Sequence, residues 1–342
     1  MGRKPDIFVD IMGGDEAPEE QAKGVLEAHK VLGPACALTA VGQARYAKLF
    51  DGTEVSFIPI AGVVGMNDDP LRATEKEPTT SVGLAVKLAA GHSNAAAVSC
   101  GNTGAAVAAG RRHMRALVNA PYCLAAIAAL MPNFDGTKTV LMDVGANPSS
   151  ELNAYDYLDM GWMSAVYARH LNPQVERPVG LLSYGSEPHK APPVLQEALA
   201  LFRNHLGSRE RFAEGNDLMT GEYGGLVADG MTLNVALKVV EGTLKGASTT
   251  ILAGLCSVFD DSPEIKGTIV AATKRTMAPF NWRNNNGALL VGLNGNVIIG
   301  HGRSDHTAVT NAIMVAEDVA RGNLLSKFTR ALADARASGC YH

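Results

Sequence analysis

The sequence has no CxxC pair, no twenty-residue apolar run and no excess of positive charge. Each absence removes a class of protein. Five cysteines (Cys36, Cys100, Cys123, Cys256 and Cys340) are scattered through 342 residues. They indicate neither a zinc ribbon nor a disulfide framework and fit a reducing cytoplasm. A membrane-spanning helix needs about 20 continuous apolar residues. The longest uncharged runs, such as Ala116 to Phe134, are broken by Asn, Pro and turn residues and read as buried strands and turns. The opening MGRKPDIFVDIMGGD has too short an apolar core for a signal peptide. A net charge of −4 gives no electrostatic reason to expect nucleic acid or an anionic membrane as a general partner.

What is present is a folded chain, 46% hydrophobic and 19% charged, long enough to bury a full core. Short apolar runs predict strands at 7–11, 38–42, 55–60, 95–100, 139–145, 180–185 and 225–230. A terminal hairpin is predicted from 288–293 and 296–300 across Asn294-Gly295. Helical periodicity fills 18–32, 79–90, 103–117, 152–171, 192–205 and 306–320. Continuous apolar strands alternating with helices imply an α/β fold, a mostly parallel sheet with helices on both faces, here taken as a single unit over 1–342. Residues 235–266 read as a helical hairpin whose apolar content exceeds one amphipathic face. It is either core or a protruding pair serving a dimer or a hydrophobic ligand.

Glycine-rich loops follow five of these strands: DIMGGDEAP, CGNTGA, DVGAN, SYGSEPHK and ADGMTLN. Ligands of open α/β sheets bind at the carboxyl ends of strands, and five such loops on one sheet edge would make a cleft. Glycines there admit close backbone approach, and amides at a helix start favour anions. Gly101–Gly104 is either an anion site or a structural turn, since it lacks the ending of a P-loop. Cys100 has no neighbouring base and is read as a strand-end core residue rather than a nucleophile. Lys190, near Glu187 and His189, is either solvated or a counter-charge for phosphate. Asn234 is either a first-turn helix residue or an amide donor to a reacting carbonyl. Asp10 with Asp15, and Asp68 with Asp69, lack metal-site spacing, so no metal is expected. His301, between a strand and a helix, is either a turn histidine or a cleft residue.

In this order the loops resemble the phosphate acyltransferase family of bacterial phospholipid synthesis. The matching stretches are DIMGGDEAP (10–18), CGNTGA (100–105), DVGAN (143–147), SYGSEPHKA (183–191), DGMTLN (229–234) and the tail 292–302, which together span almost the whole chain. The resemblance implies a fold like that of isocitrate and isopropylmalate dehydrogenases, usually as a homodimer, soluble or peripherally membrane-associated. It also implies acyl transfer from acyl carrier protein to inorganic phosphate without a cofactor. It puts the catalytic lysine and asparagine at Lys190 and Asn234. Phosphate and substrate would be held by Asp10, Gly13, Gly14, Asp15, Gly101, Asn102, Thr103, Gly104, Asp143, Asn147, Glu187 and His301. The chain departs from the family at Leu233 and Ala191, where the family has glycine, and at Met231, Ser183, Pro188 and Asn216. Side chains at 191 and 233 are expected to alter the backbone beside the centre. An acyl-CoA-dependent phosphotransacylase, a nicotinamide-dependent hydroxyacid dehydrogenase and a non-catalytic carrier-binding relative are the alternatives.

Overall fold

The computed structural model describes residues 4–117 and 125–341; Cys123 and part of the uncharged run from Ala116 lie outside them. The first half of the chain contributes β1 (Asp6–Asp10), α1 (Glu19–Leu32), β2 (Ala37–Gly42), β3 (Ser56–Pro59), α2 (Ser81–Ala89), β4 (Ala95–Ser99) and α3 (Thr103–His113). There follow β5 (Ala126–Pro132), β6 (Lys138–Met142), α4 (Ala154–Leu171), β7 (Val179–Leu181), α5 (Pro193–Leu206), β8 (Gly225–Val227) and α6 (Gly230–Val258). The chain then forms α7 (Pro263–Met277), β9 (Ala288–Val291), β10 (Asn296–Ile299), α8 (His306–Arg321) and α9 (Leu324–Ala337).

The strands form one sheet in the order β3-β2-β1-β4-β10-β9-β5-β6-β8-β7. Pairing is parallel except where β9 and β5 are inserted, each antiparallel to both of its neighbours. That insertion reverses the sense of the sheet. Strands β6, β7 and β8 run opposite to β1, β2, β3, β4 and β10. The five glycine-rich loops therefore do not share one edge, as parallel strands alone would require. Those after β1 and β4 lie at one edge, and those after β6, β7 and β8 at the other.

Helices cover both faces because the strands are apolar on both. In β4, Ala96 and Val98 join a core with α1, α4, α5, α8 and α9 residues, while Ala95 and Ala97 join one with α2 and α3 residues. Helix α8 shows how a stripe docks. Ala308, Val309, Ala312, Ile313, Ala316, Val319 and Ala320 are buried at i, i+3, i+4 spacing. Asp305 caps its start, accepting from the Ala308 amide at 3.0 Å. It packs on α1 at Gly24, where an added β-carbon would come within 2.6 Å of Val309 Cβ.

Helices α6 and α7 form the protruding pair, not core. Of the 29 residues of α6 only Gly230 and Leu233 are buried, and α7 buries none. At 1.5 Å per residue α6 is about 43 Å long, and Val235, Val239, Ile251 and Val258 stand exposed along it. No helix among the described residues is long and apolar enough to cross a membrane.

Candidate active site

A cavity of about 1020 Å³ lies on the face of the sheet between α3 and α6. It is at the upper end of the roughly 300–1,000 Å³ usual for small-molecule sites. Two helical stripes form its walls. From α3 come Thr103, Gly104, Val107, Ala108, Arg111 and Arg112; from α6 come Asn234, Leu237, Lys238, Val240, Glu241 and Leu244. Both follow i, i+3, i+4 spacing, which puts one face of each helix on the cavity. Strand β5 contributes an apolar floor from Ile127 to Pro132. Gly145 and Ala146, Trp282 and residues 299–302 also line it, with further residues from 66–74 and 280–288.

Thus Thr103, Gly104, Asn234 and His301 line one space. The other expected site residues stand around it. The loop after β1 packs backbone to backbone against the loop after β4, since a β-carbon on Gly13 would come within 2.8 Å of Gly101 Cα. Gly14 has φ +122°, open to glycine, and an added β-carbon would meet the carbonyls of Cys100 and Gly302 at 3.2 Å. The Asp15 amide donates to the Gly302 carbonyl at 2.8 Å, tying this loop to one that lines the cavity. Asp10 is buried and accepts from Ser99 Oγ at 2.8 Å and from the Met12 amide at 3.0 Å. Burial pushes its carboxyl pKa upward against these bonds. Asn102 caps α3, accepting from the Ala105 amide, and its side-chain nitrogen donates to the carbonyls of Gly65, Met66 and Asp68. These residues shape the site rather than open into it.

At the far edge Asp143 organises its own loop. Its carboxylate accepts from the amides of Ile127, Gly145, Ala146 and Asn147 and from Asn147 Nδ2. Asp229 starts α6, accepting from the Met231 and Thr232 amides at 3.1 and 3.0 Å, so Asn234 lies in the second turn rather than the first. Leu233 is fully buried with Tyr223, Leu226 and Leu182, and its bulk faces core instead of the cavity. Ala191 sits at φ −74°, where a β-carbon is unstrained.

Lys190 and Glu187 do not line the cavity. Lys190 Nζ donates to Glu187 Oε1 at 2.6 Å in an exposed pair on a short 3-10 turn, and Tyr184 donates its hydroxyl to the Lys190 carbonyl. The pair shifts the lysine pKa up and the glutamate pKa down. His301 is held more tightly. Its backbone amide donates to Asn286 Oδ1 at 2.9 Å and its Nδ1 accepts from the Arg303 amide at 3.1 Å. An accepting Nδ1 leaves the neutral ring's proton on Nε2. Burial first, then the charges of Lys238 and Arg303, lowers its pKa, favouring that neutral form. Cys100 is buried, and burial pushes its thiol to about 11, unlike a nucleophile.

Over residues 6–327 the chain matches the family described as fatty acid synthesis protein. It is 32% identical over 336 residues to the phosphate acyltransferase of Desulforudis audaxviator, covering 97% of this chain and 98% of that one. It is 33% identical over 346 residues to that of Thermotoga neapolitana, with coverage of 97% and 98%. The chain belongs to this family. Among solved structures it is similar to a phosphotransacetylase from Streptococcus pyogenes, with TM-score 0.57, 12% identity and coverage of 94% and 95%. A branched-chain phosphotransacylase from Enterococcus faecalis gives TM-score 0.53 at 13% identity, with coverage of 92% and 99%. At such identities these two likenesses establish the α/β fold alone.

The cavity also contains residues that the motifs did not single out: Arg111, Arg112, Lys238 and Trp282. A signal for the arginines was present in the sequence. They lie at i+8 from Thr103 and Gly104, on the same helical face.

Proposed function

We propose that the protein transfers a fatty acyl group from the thioester of acyl carrier protein to inorganic phosphate, supplying acyl phosphate for phospholipid or related lipid synthesis. The observation that carries this reading is the cavity itself, an apolar floor on β5 in a space also lined by the polar side chains of Thr103, Asn234 and His301. The acyl chain lies along the floor, and the thioester carbonyl reaches the polar side chains of the lining. A phosphate oxygen attacks the carbonyl carbon, forming a C–O bond and a tetrahedral oxyanion. Collapse breaks the C–S bond, and the proton of hydrogen phosphate passes to the departing thiolate. Phosphate is already anionic near neutral pH, so no strong base is required. The gain comes from orientation and from donors aimed at the oxyanion. The Asn234 amide and the Nε2–H of His301 are those donors. Lys190 joins by exchanging its exposed pairing with Glu187 for phosphate; its loop follows β7 and shares an edge with the loops after β6 and β8.

In this reading the enzyme is a cytoplasmic homodimer, and the exposed apolar positions of α6 and α7 provide the contact with a partner or a membrane surface. The test supplies purified protein with phosphate and either acyl carrier protein or CoA thioesters, trapping acyl phosphate as hydroxamate. Product from the carrier-protein donor supports the proposal. Product from CoA alone transfers it to a CoA-dependent phosphotransacylase, and no product from either rejects it.

A further inference from the structure

Phosphate brings about two negative charges into a cavity walled largely by apolar side chains, so a resident cation is required there. Among the described residues the cationic side chains lining it are Arg111, Arg112 and Lys238, against one carboxylate, Glu241. Lys238 is paired with Glu241 at 2.9 Å. Arg112 donates Nε to the Thr74 carbonyl at 3.1 Å, directed at the loop before α2. Among the described residues neither arginine has a carboxylate within salt-bridge distance. The cavity thus keeps an uncompensated positive charge.

Arg111 is placed by a built support. Its Nη2 donates to Asn147 Oδ1 at 3.0 Å. Asn147 is buried, and its Nδ2 donates to the Ala125 carbonyl at 2.8 Å and to Asp143 Oδ2 at 2.9 Å. With both amide hydrogens engaged, the side chain presents its oxygen to Arg111, and the flip is fixed. The same loop carries Gly145, whose added β-carbon would meet Asn234 Nδ2 at 3.2 Å. One rigid loop therefore sets the guanidinium and the proposed carbonyl donor relative to each other. Among the described residues no protein acceptor meets the remaining N–H groups of Arg111. A planar, permanently charged fork with free donors matches a phosphate oxygen pair.

We propose that Arg111, held by Asn147, is the resident phosphate-binding residue of this site. Lys190 lies outside the cavity, so the two cations have separate roles. This inference rests on the acyl-transfer reading, and its test is chosen to fail separately. Steady-state acyl phosphate formation is compared for wild type, Arg111→Gln and Arg111→Lys, alongside the rise in Tm produced by added inorganic phosphate. The expected result is a phosphate KM at least tenfold higher in Arg111→Gln, the acyl-donor KM within twofold, and loss of the phosphate-induced Tm rise. Arg111→Lys, which keeps charge without the fork, should fall between and serves alone where Arg111→Gln does not fold. A lower kcat with phosphate KM and the Tm response unchanged would reduce Arg111 to a latch on the 143–147 loop and overturn the proposal. If wild type makes no acyl phosphate, the acyl-transfer reading fails. The Tm response then decides the anion site alone: its loss in the variant upholds the site, and its absence from wild type or persistence in the variant overturns it.

Discussion

Asn234 in the second turn of α6 stands against Gly145 in the loop after β6, with 3.2 Å between Nδ2 and the point where a β-carbon on Gly145 would sit. Gly145 also has φ +139°, outside the range that L side chains adopt without strain. Gly145→Ala should therefore displace the amide as well as strain the loop, the strain alone costing about 1–3 kcal/mol. The expected outcome is a loss of turnover at least as large as in Asn234→Ala, with far-UV circular dichroism retained. Wild-type turnover in Gly145→Ala would remove Asn234 from the reacting centre.

The exposed ion pair of Lys190 and Glu187 sets up a second expectation. Exposed pairs contribute little stability, so neither Lys190→Ala nor Glu187→Gln should shift the denaturation midpoint by more than a degree or two. The kinetic effects should have opposite signs. Lys190→Ala lowers phosphate-dependent turnover, while Glu187→Gln frees the lysine and lowers the phosphate KM. Unchanged kinetics in Lys190→Ala would exclude it from the mechanism.

Leu233, which the resemblance placed beside the centre, is a fully buried residue of the core cluster that includes Tyr223, Leu226 and Leu182. Leu233→Ala should destabilise by about 2–5 kcal/mol through lost burial and a residual cavity. Chemical denaturation measures this directly. At a temperature where the variant is folded, both KM values should match wild type; a KM shift without destabilisation would put the side chain back in the site.

Most of the sheet was legible because its strands are short apolar runs bounded by glycine and turn residues, and β4 with five buried residues out of five is the clearest. Strand β5 was less so. Its AIAALMP sits inside a longer uncharged run without a period of its own. The edge at which each loop lies was not legible at all, because strand direction depends on the nonlocal placement of β5 and β9 in the sheet. The same cause hid the cavity. Motifs mark glycine loops, whereas Arg111 and the α6 stripe matter only because the fold brings α3 and α6 to one cavity. The hairpin was ambiguous for a simpler reason: its apolar residues surround the helix, a pattern shared by buried helices and by helices awaiting a partner.

The remaining prediction concerns the contact that joins α1 to α8. Glu20 Oε2 accepts from the His306 backbone amide at 2.9 Å and lies 2.6 Å from His306 Nδ1, while Lys23 donates to Glu20 Oε1 at 2.7 Å. Lys23 first, then His306, holds the Glu20 pKa down at about 2, and Glu20 raises that of His306. Glu27 and Asp305 face the same imidazole and support its charge. A depressed carboxylate stabilises the fold above its unfolded pKa and loses that contribution as pH falls toward its folded value. A raised histidine stabilises below its unfolded pKa and loses its contribution as pH rises through the folded one. Both contributions are complete only between about pH 4.5 and 6.5. Glu20→Gln should therefore lower Tm most near pH 5.5. The deficit should shrink as pH is raised toward 8.5 and His306 loses its proton, without vanishing, because the bonds from Lys23 and the His306 amide persist there. Differential scanning fluorimetry of wild type and variant across that range measures it, and a deficit independent of pH would show that His306 carries no charge in the contact.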